Sequence, residues 1–202
     1  MPARGDHDAR RRDVSEAVWR VLAAGGFGGL TLRAVAVEMG ASTGLLTHYF
    51  PTKRALVRYA LGVAEERTDE RERRVPAEEG LPALRAALLD VLPLTPEATA
   101  MSRVWVGFWD GALGDPDLAA TQKTRYANWR ERLGGHIAGA QRAGRLTKAA
   151  DPGELAATAA AFAHGLVVQT LFAPDDFPPD RQTRLLDTFL AGLGGSASDG
   201  PA

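Results

Sequence analysis

Ser42, Thr43, Gly44, Thr47, His48 and Tyr49 crowd into eight consecutive positions of the chain. Hydroxyls donate and accept hydrogen bonds, and imidazole and phenol reach base edges or phosphates. Glycine lets a backbone come close, so the set suits the major groove of DNA. Arg33 and Lys53 flank it with full positive charge. Gly40-Ala41-Ser42-Thr43-Gly44 also spells G-x-S-x-G, the hydrolase nucleophile elbow, which needs a strand before its serine. Val35 to Met39 fit a short helix instead. Ser42 therefore reads as a helix cap, and no catalytic residue is assigned. The Gly25–Gly29 cluster does not fit G-x-G-x-x-G, and no P-loop occurs. His7, His48, His136 and His164 lack paired metal spacing, and the chain has no cysteine. No metal and no cofactor are expected.

The elements that must position these groups read as helices throughout. Val14, Ala17, Val18, Val21 and Leu22 recur at three- and four-residue steps, and Gly25-Gly26 ends that helix. Thr31 caps a second helix that Gly40 stops. Ser42 caps a short third one that Pro51 closes, because the residue before proline avoids the helical region. Two short helices joined by a glycine turn form a helix-turn-helix unit. Val35, Met39, Leu45, Leu46 and Phe50 would supply its small core. The starts at Thr31 and at Thr52–Lys53 would aim unpaired N–H groups outward, where phosphates bind. From Lys53 a helix runs to about Arg74. Further helices are expected over Leu81–Leu92, Ala98–Leu113, Leu118–Ala143, Pro152–Phe172 and Asp180–Leu193. No stretch alternates as a strand does, so the fold class is all-α.

Charge separates along the chain. Residues 1–58 hold nine basic and five acidic groups, and the remaining 144 hold 15 and 20, within a chain of 202 residues and formal charge −1. A basic front suits a polyanion, and a chance fluctuation of a few charges gives the same count. Met1 to Arg12 is polar and lacks the apolar stretch of a signal peptide. Arg10–Arg12 read as a solvated tail or as an arm onto phosphates. No uninterrupted apolar run of about 18 residues occurs, so no membrane contact and a cytoplasmic location are expected.

The rear half carries aromatic stripes. Trp105, Phe108 and Trp109 share one helix, and Tyr126 and Trp129 share the next. Such stripes pack as core or line a ligand pocket, and His164 is a further candidate. Aromatic faces bind quaternary ammonium groups, with Asp110 the nearest acidic residue in sequence to the first stripe. Leu166 and Leu171 lie on an Ala- and Gly-rich helix, and Leu186, Phe189 and Leu190 lie on the last one. These five form either a dimer seam or an internal core pair.

The run Leu30-Thr31-Leu32-Arg33-Ala34-Val35-Ala36, continued by Gly40 to Leu56, resembles the TetR family of bacterial transcriptional repressors. Members commonly show G-V-S-x-G-x-L-Y-x-H-F-x-x-K-x-x-L. Here Thr47 stands where tyrosine is usual, and the His-Phe pair becomes Tyr49-Phe50. Ser42-Thr43-Gly44 with Thr47-His48-Tyr49-Phe50, and Arg103 to Trp109 with His164-Gly165-Leu166, look like the branch of choline-responsive repressors of glycine-betaine synthesis. The resemblance implies a homodimer with an N-terminal three-helix DNA-binding domain and a helical ligand-binding and dimerisation domain. It places Arg33, Thr43, Gly44, Thr47, His48, Tyr49 and Lys53 at DNA-contacting positions. The expected partners are an operator in double-stranded DNA, a second copy of the chain and an unknown small-molecule inducer. The expected domains are 1–52 and 53–193, with 53–74 a linking helix and 194–202 a flexible tail. The alternative is a small helical enzyme or ligand carrier that kept a vestigial front domain.

Overall fold

Hydroxyl and carboxylate caps divide this chain into helices. In a computed structural model that describes residues 4–71, 73–74 and 78–194, the elements are α1 (Arg4–Gly25), α2 (Leu32–Met39), α3 (Thr43–Tyr49), α4 (Lys53–Glu70), α5 (Leu81–Leu89), α6 (Pro96–Leu113), α7 (Pro116–Arg142), α8 (Pro152–Phe172) and α9 (Pro179–Gly194). No strand occurs among the described residues. Thr31, Ser42, Thr52, Thr95, Asp115 and Asp151 each accept a backbone N–H of the helix that follows. Each cap satisfies donors that a helix start leaves unpaired. Proline occupies the first turn of α6, α7 and α8, where its missing N–H costs nothing. The first helix begins at Arg4, so Arg10 to Arg12 belong to α1 and not to an unstructured tail. Of the expected flexible tail at 194–202, Gly194 ends α9 and the rest lies outside the described residues.

The described chain groups into two units. One comprises the residues up to Arg71 together with Arg103–Gly111, and the other holds the rest. The division thus differs from a cut at 52/53, because α4 packs on α1 and belongs with the front unit. Val14, Ala17, Val18, Leu22, Leu30, Val35, Leu46, Phe50, Leu56 and Ala60 form the core of that unit. Leu45 is not among them; it is exposed, and Met39 is half-buried. The α6 segment of this unit is bound tightly. Phe108 is buried with its ring 5.1 Å from Phe27, and Trp105 Nε1 donates to Thr68 Oγ1 at 3.1 Å. Gly107 lies where a Cβ would stand 3.4 Å from the Phe27 nitrogen.

In the second unit α7 runs along α8, and α5 packs on α7 and α9. Leu84, Leu88, Leu133, Ile137, Ala156, Ala159, Ala163 and Leu186 are buried between them. Arg85 grips Asp187 through two hydrogen bonds of 2.5 and 3.0 Å and so ties α5 to α9. Gln141 Nε2 donates to the carbonyls of Thr147 and Ala150, both at 2.8 Å, and closes the turn into α8. Helix α8 is long and apolar enough to cross a membrane by length and composition; here one side of it packs on α7, and 39% of its apolar window is buried.

The turn between α2 and α3 depends on one backbone conformation. Gly40 has φ +61°, in the left-handed region, and Ala41 N–H reaches back to Ala36 O at 2.9 Å. That is the Schellman closure, which glycine adopts without steric cost. Gly40→Ala should lower stability by about 1 kcal/mol, while Gly25→Ala, where a Cβ meets nothing within 4 Å, should be neutral or slightly stabilising. Urea unfolding of both variants followed by circular dichroism checks the contrast.

Candidate nucleic-acid interface and effector cluster

Helix α3 is held from beneath and open everywhere else. Leu46 is fully buried and Phe50, just past the helix end, is buried against Tyr59 with ring centroids 5.1 Å apart. Tyr59 is in turn fixed by a 2.8 Å hydrogen bond between its hydroxyl and that of Ser15 on α1. Ser42, Thr43, Gly44, Leu45, Thr47, His48 and Tyr49 are all exposed. Leu45 N–H donates to Ser42 Oγ at 3.3 Å, so Ser42 is a helix cap preceded by helix α2, not a nucleophile preceded by a strand. Thr47 Oγ1 donates to Thr43 O at 3.0 Å, which leaves its oxygen lone pairs facing outward as acceptors. The His48 and Tyr49 rings meet edge-on at 6.0 Å.

Two further helix starts border this surface. Thr31 Oγ1 accepts Ala34 N–H at 3.0 Å, and Thr52 Oγ1 accepts Ala55 N–H at 3.1 Å. Thr31, Arg33, Thr52 and Lys53 are exposed. Arg20 on α1 binds Glu38 on α2 at 2.5 Å, which braces α2 on α1. The DNA-facing residues read from sequence are therefore all exposed in one unit, on α3 and at the starts of α2 and α4.

The aromatic candidates divide. Trp105 and Phe108 are buried in the packing of the first unit, with their rings T-shaped at 5.9 Å, and Trp109 is half-buried in the same segment. Trp105 and Phe108 thus pack within the front unit. Asp110 is exposed. Tyr126, Trp129 and His164 come together in the second unit. The His164 ring lies 5.0 Å from Tyr126 and 4.8 Å from Trp129, tilted by 44° and 37°. Tyr126 and Trp129 are three residues apart on α7, so helical geometry puts both on the face that meets α8. Burial, with the Arg125 guanidinium adding to it, pushes the His164 imidazole down from 6.5 to about 4. The ring is neutral near pH 7. Burial also holds the Tyr126 phenol above its usual range, despite a side-chain hydrogen bond from Gln122 and the charges of Arg125 and Arg130.

Gln122 was not singled out from sequence. It sits one turn before Tyr126, is 8% exposed, and its Oε1 has no hydrogen-bond partner. Its place four residues before Tyr126 and seven before Trp129 is the signal that puts it on the same helix face. The dimer-seam residues also divide. Leu166, Leu186 and Leu190 are buried within one protomer, so they belong to an internal core and are not open to a second copy. Leu171 and Phe189 are half-buried, with Phe189 stacked on Phe162 at 4.4 Å.

Comparison with known proteins places the chain. Residues 15–60 match the model of bacterial regulatory proteins of the tetR family, and residues 81–195 match the C-terminal domain of BetI-type transcriptional repressors. The chain belongs to the TetR family, with a BetI-type C-terminal domain. The HTH-type transcriptional regulator PksA of Bacillus subtilis is 34% identical over 110 residues, which is 54% of this chain and 54% of PksA. The regulator BetI of Burkholderia mallei is 29% identical over 126 residues, 61% of this chain and 65% of BetI. The matches thus span less than two thirds of those relatives' own lengths. A transcriptional regulator from Rhodococcus sp. RHA1 superposes with a TM-score of 0.77 and 25% identity, covering 95% of this chain and 99% of that one. A regulator from Saccharomonospora viridis, solved in complex with choline, superposes with a TM-score of 0.76 at 22% identity, over 91% and 96%.

The buried neutral imidazole has a consequence for stability. In the unfolded chain His164 protonates near 6.5, and in the folded protein near 4. Between these values the unfolded state holds the extra proton, so acidification favours unfolding. Stability should fall by at most about 3 kcal/mol as the pH drops from 6.5 to 4 on account of this group. His164→Phe should remove that part of the slope, read from urea midpoints across the pH range.

Proposed function

We propose that the protein is a ligand-responsive transcriptional repressor that binds a palindromic operator as a homodimer in the cytoplasm and is released by a small molecule. The observation that carries this reading is the exposure of α3. Every residue from Thr43 to Tyr49 except Leu46 is exposed, on a helix capped at its start and anchored at its end. A helix with so little buried face adds little to a core; its hydroxyls, imidazole and phenol suit a major groove. Arg33, Lys53 and the N–H groups at the starts of α2 and α4 would take the phosphates on either side. Family membership supports the same reading, and it favours a binding protein over an enzyme.

A twofold dimer would set two copies of α3 about 34–36 Å apart, one turn of DNA. Its seam is proposed on the open side of α8. Ala157, Ala161, Gly165 and Phe172 are exposed there, and a Cβ on Gly165 would meet nothing within 4 Å in the protomer. Small residues let a second helix approach closely, and half-buried Leu171 and Phe189 would add apolar area beside them. The inducer acts only through its preference between two states, binding better when the α3 copies are wrongly spaced for the groove.

Gel-shift titration against the DNA upstream of the protein's own gene, across a salt series, tests the reading. Specific binding that weakens steeply with salt is the expected result; none at low salt would favour the enzyme or carrier alternative. Tyr49→Ala and Lys53→Ala should each weaken operator binding by about tenfold and leave the sedimentation of the dimer unchanged. Gly165→Arg should leave the helical spectrum intact, convert the dimer to monomer in sedimentation velocity and abolish tight operator binding.

A further inference from the structure

Leu45 is an aliphatic side chain on a helix whose other exposed residues are hydroxylic, aromatic or glycine, and folding leaves it outside the core. Helix α3 turns by about 100° per residue, so the buried Leu46 fixes where its neighbours point. Gly44 and His48 lie opposite Leu46 and form the middle of the outward face. Leu45 flanks that middle on one side and Thr47 flanks it on the other. Tyr49, one turn after Leu45, continues the same flank, and the two are 36% and 37% exposed. The face therefore has an apolar edge and a hydroxyl edge. On the hydroxyl edge, Thr47 Oγ1 gives its proton to Thr43 O at 3.0 Å and turns only lone pairs outward. Between the edges, Gly44 leaves room for α3 to approach the floor of a groove. A Cβ there would meet nothing nearer than Ser42 Oγ at 3.9 Å, and its φ is not positive, so the fold does not require glycine. A lone exposed leucine is ordinary on a protein surface. One placed beside His48, on the face offered to the major groove, meets base edges. Thymine alone among the bases presents an apolar group there, its C5-methyl; the other groups are hydrogen-bond donors and acceptors. Leucine satisfies none of those, and covering one without a partner is unfavourable.

We propose that Leu45 reads one thymine in each operator half-site, packing its isobutyl group on the C5-methyl in the major groove. The assignment rests on the reading of the protein as an operator-binding repressor and adds the base that one residue selects. It gives a role to a side chain that the sequence places in the core and the structure places outside it. Selectivity has two parts. The methyl is attracted because its contact with leucine removes apolar surface from water. A cytosine at the same position is rejected, because leucine covers its N4 amino group and accepts nothing from it.

Selection of bound duplexes from a random-sequence pool by the full-length protein gives the half-site. Each thymine in it is then replaced singly by deoxyuridine, which removes the methyl and keeps the base pair. At one position of each half-site the native protein should lose about fourfold in affinity, and about fifteenfold when both half-sites are substituted. Leu45→Ala should bind the thymine duplex more weakly than the native protein and should not distinguish it from the deoxyuridine duplex. Leu45→Met, which restores apolar bulk, should recover the preference. Leu45 lies outside the core and alanine is a good helix former, so both variants should keep the native circular dichroism. Comparing two duplexes across two proteins cancels any change that uracil makes to the shape of the duplex. A half-site without thymine, indifference of the native protein to every substitution, or a preference that survives in Leu45→Ala would each overturn the assignment. The native-protein series decides the matter even if a variant fails to fold. These outcomes presuppose specific binding and leave the repressor reading standing. Failure of the native protein to enrich any sequence at low salt overturns that reading, and the assignment with it.

Discussion

A helix of two turns does not persist alone in water, because nucleation is costly and few hydrogen bonds repay it. Helix α3 nevertheless has to present almost its whole surface. The front unit meets this constraint with local devices and two anchors. Gly40 turns the chain in the left-handed region, Ser42 closes the first turn, and Pro51 stops the last. Leu46 and Phe50 then bury themselves in the front unit, Phe50 against Tyr59 of α4, in a core that also holds Val18, Leu22 and Leu56. Burial of those two side chains is worth roughly 2–3 kcal/mol each. The rest of the helix is thereby free to carry polar chemistry outward.

The same logic explains why α4 groups with the front. Its start supplies an exposed cap and Lys53, and its next turns supply Leu56, Tyr59 and Ala60 to the core under α3. Arg67 on α4 also pairs with Glu16 on α1. At the far end of the helix, Thr68 accepts the indole N–H of Trp105. Residues 103–111 are thereby tied to the far end of α4. In the second unit the polar groups serve other ends. Gln141 and Gln182 hold loop carbonyls, and Arg85 and Asp187 hold two helices together. Gln122 alone among these glutamines is engaged with the ring cluster and not with a loop.

The helices of both units were legible because their ends are written in side chains. A hydroxyl or carboxylate before a run, proline in the first turn and glycine after it are local signals, and local hydrogen bonds enforce them. The polar face of α3 was legible for a similar reason, since six polar or small residues in eight leave little else to do. Leu45 and Leu46 could not be told apart in this way. Both are leucine, and only the packing of the helix within the front unit buries the second and exposes the first.

Sequence by itself thus determined the order of the helices, the glycine turn and the polar character of α3, because caps and turns act over a few residues. Tertiary structure decided which apolar stripes face inward. Periodicity states that a helix has an apolar face, but not which neighbour covers it. So Trp105 and Phe108 went to the core of the front unit, Leu166, Leu186 and Leu190 to the core of the rear, and Ala157, Ala161 and Gly165 of α8 to the outside. Packing of α7 on α8 also left Gln122 buried with an open valence and His164 neutral, since burial and not residue type sets the cost of a charge or a missing hydrogen bond.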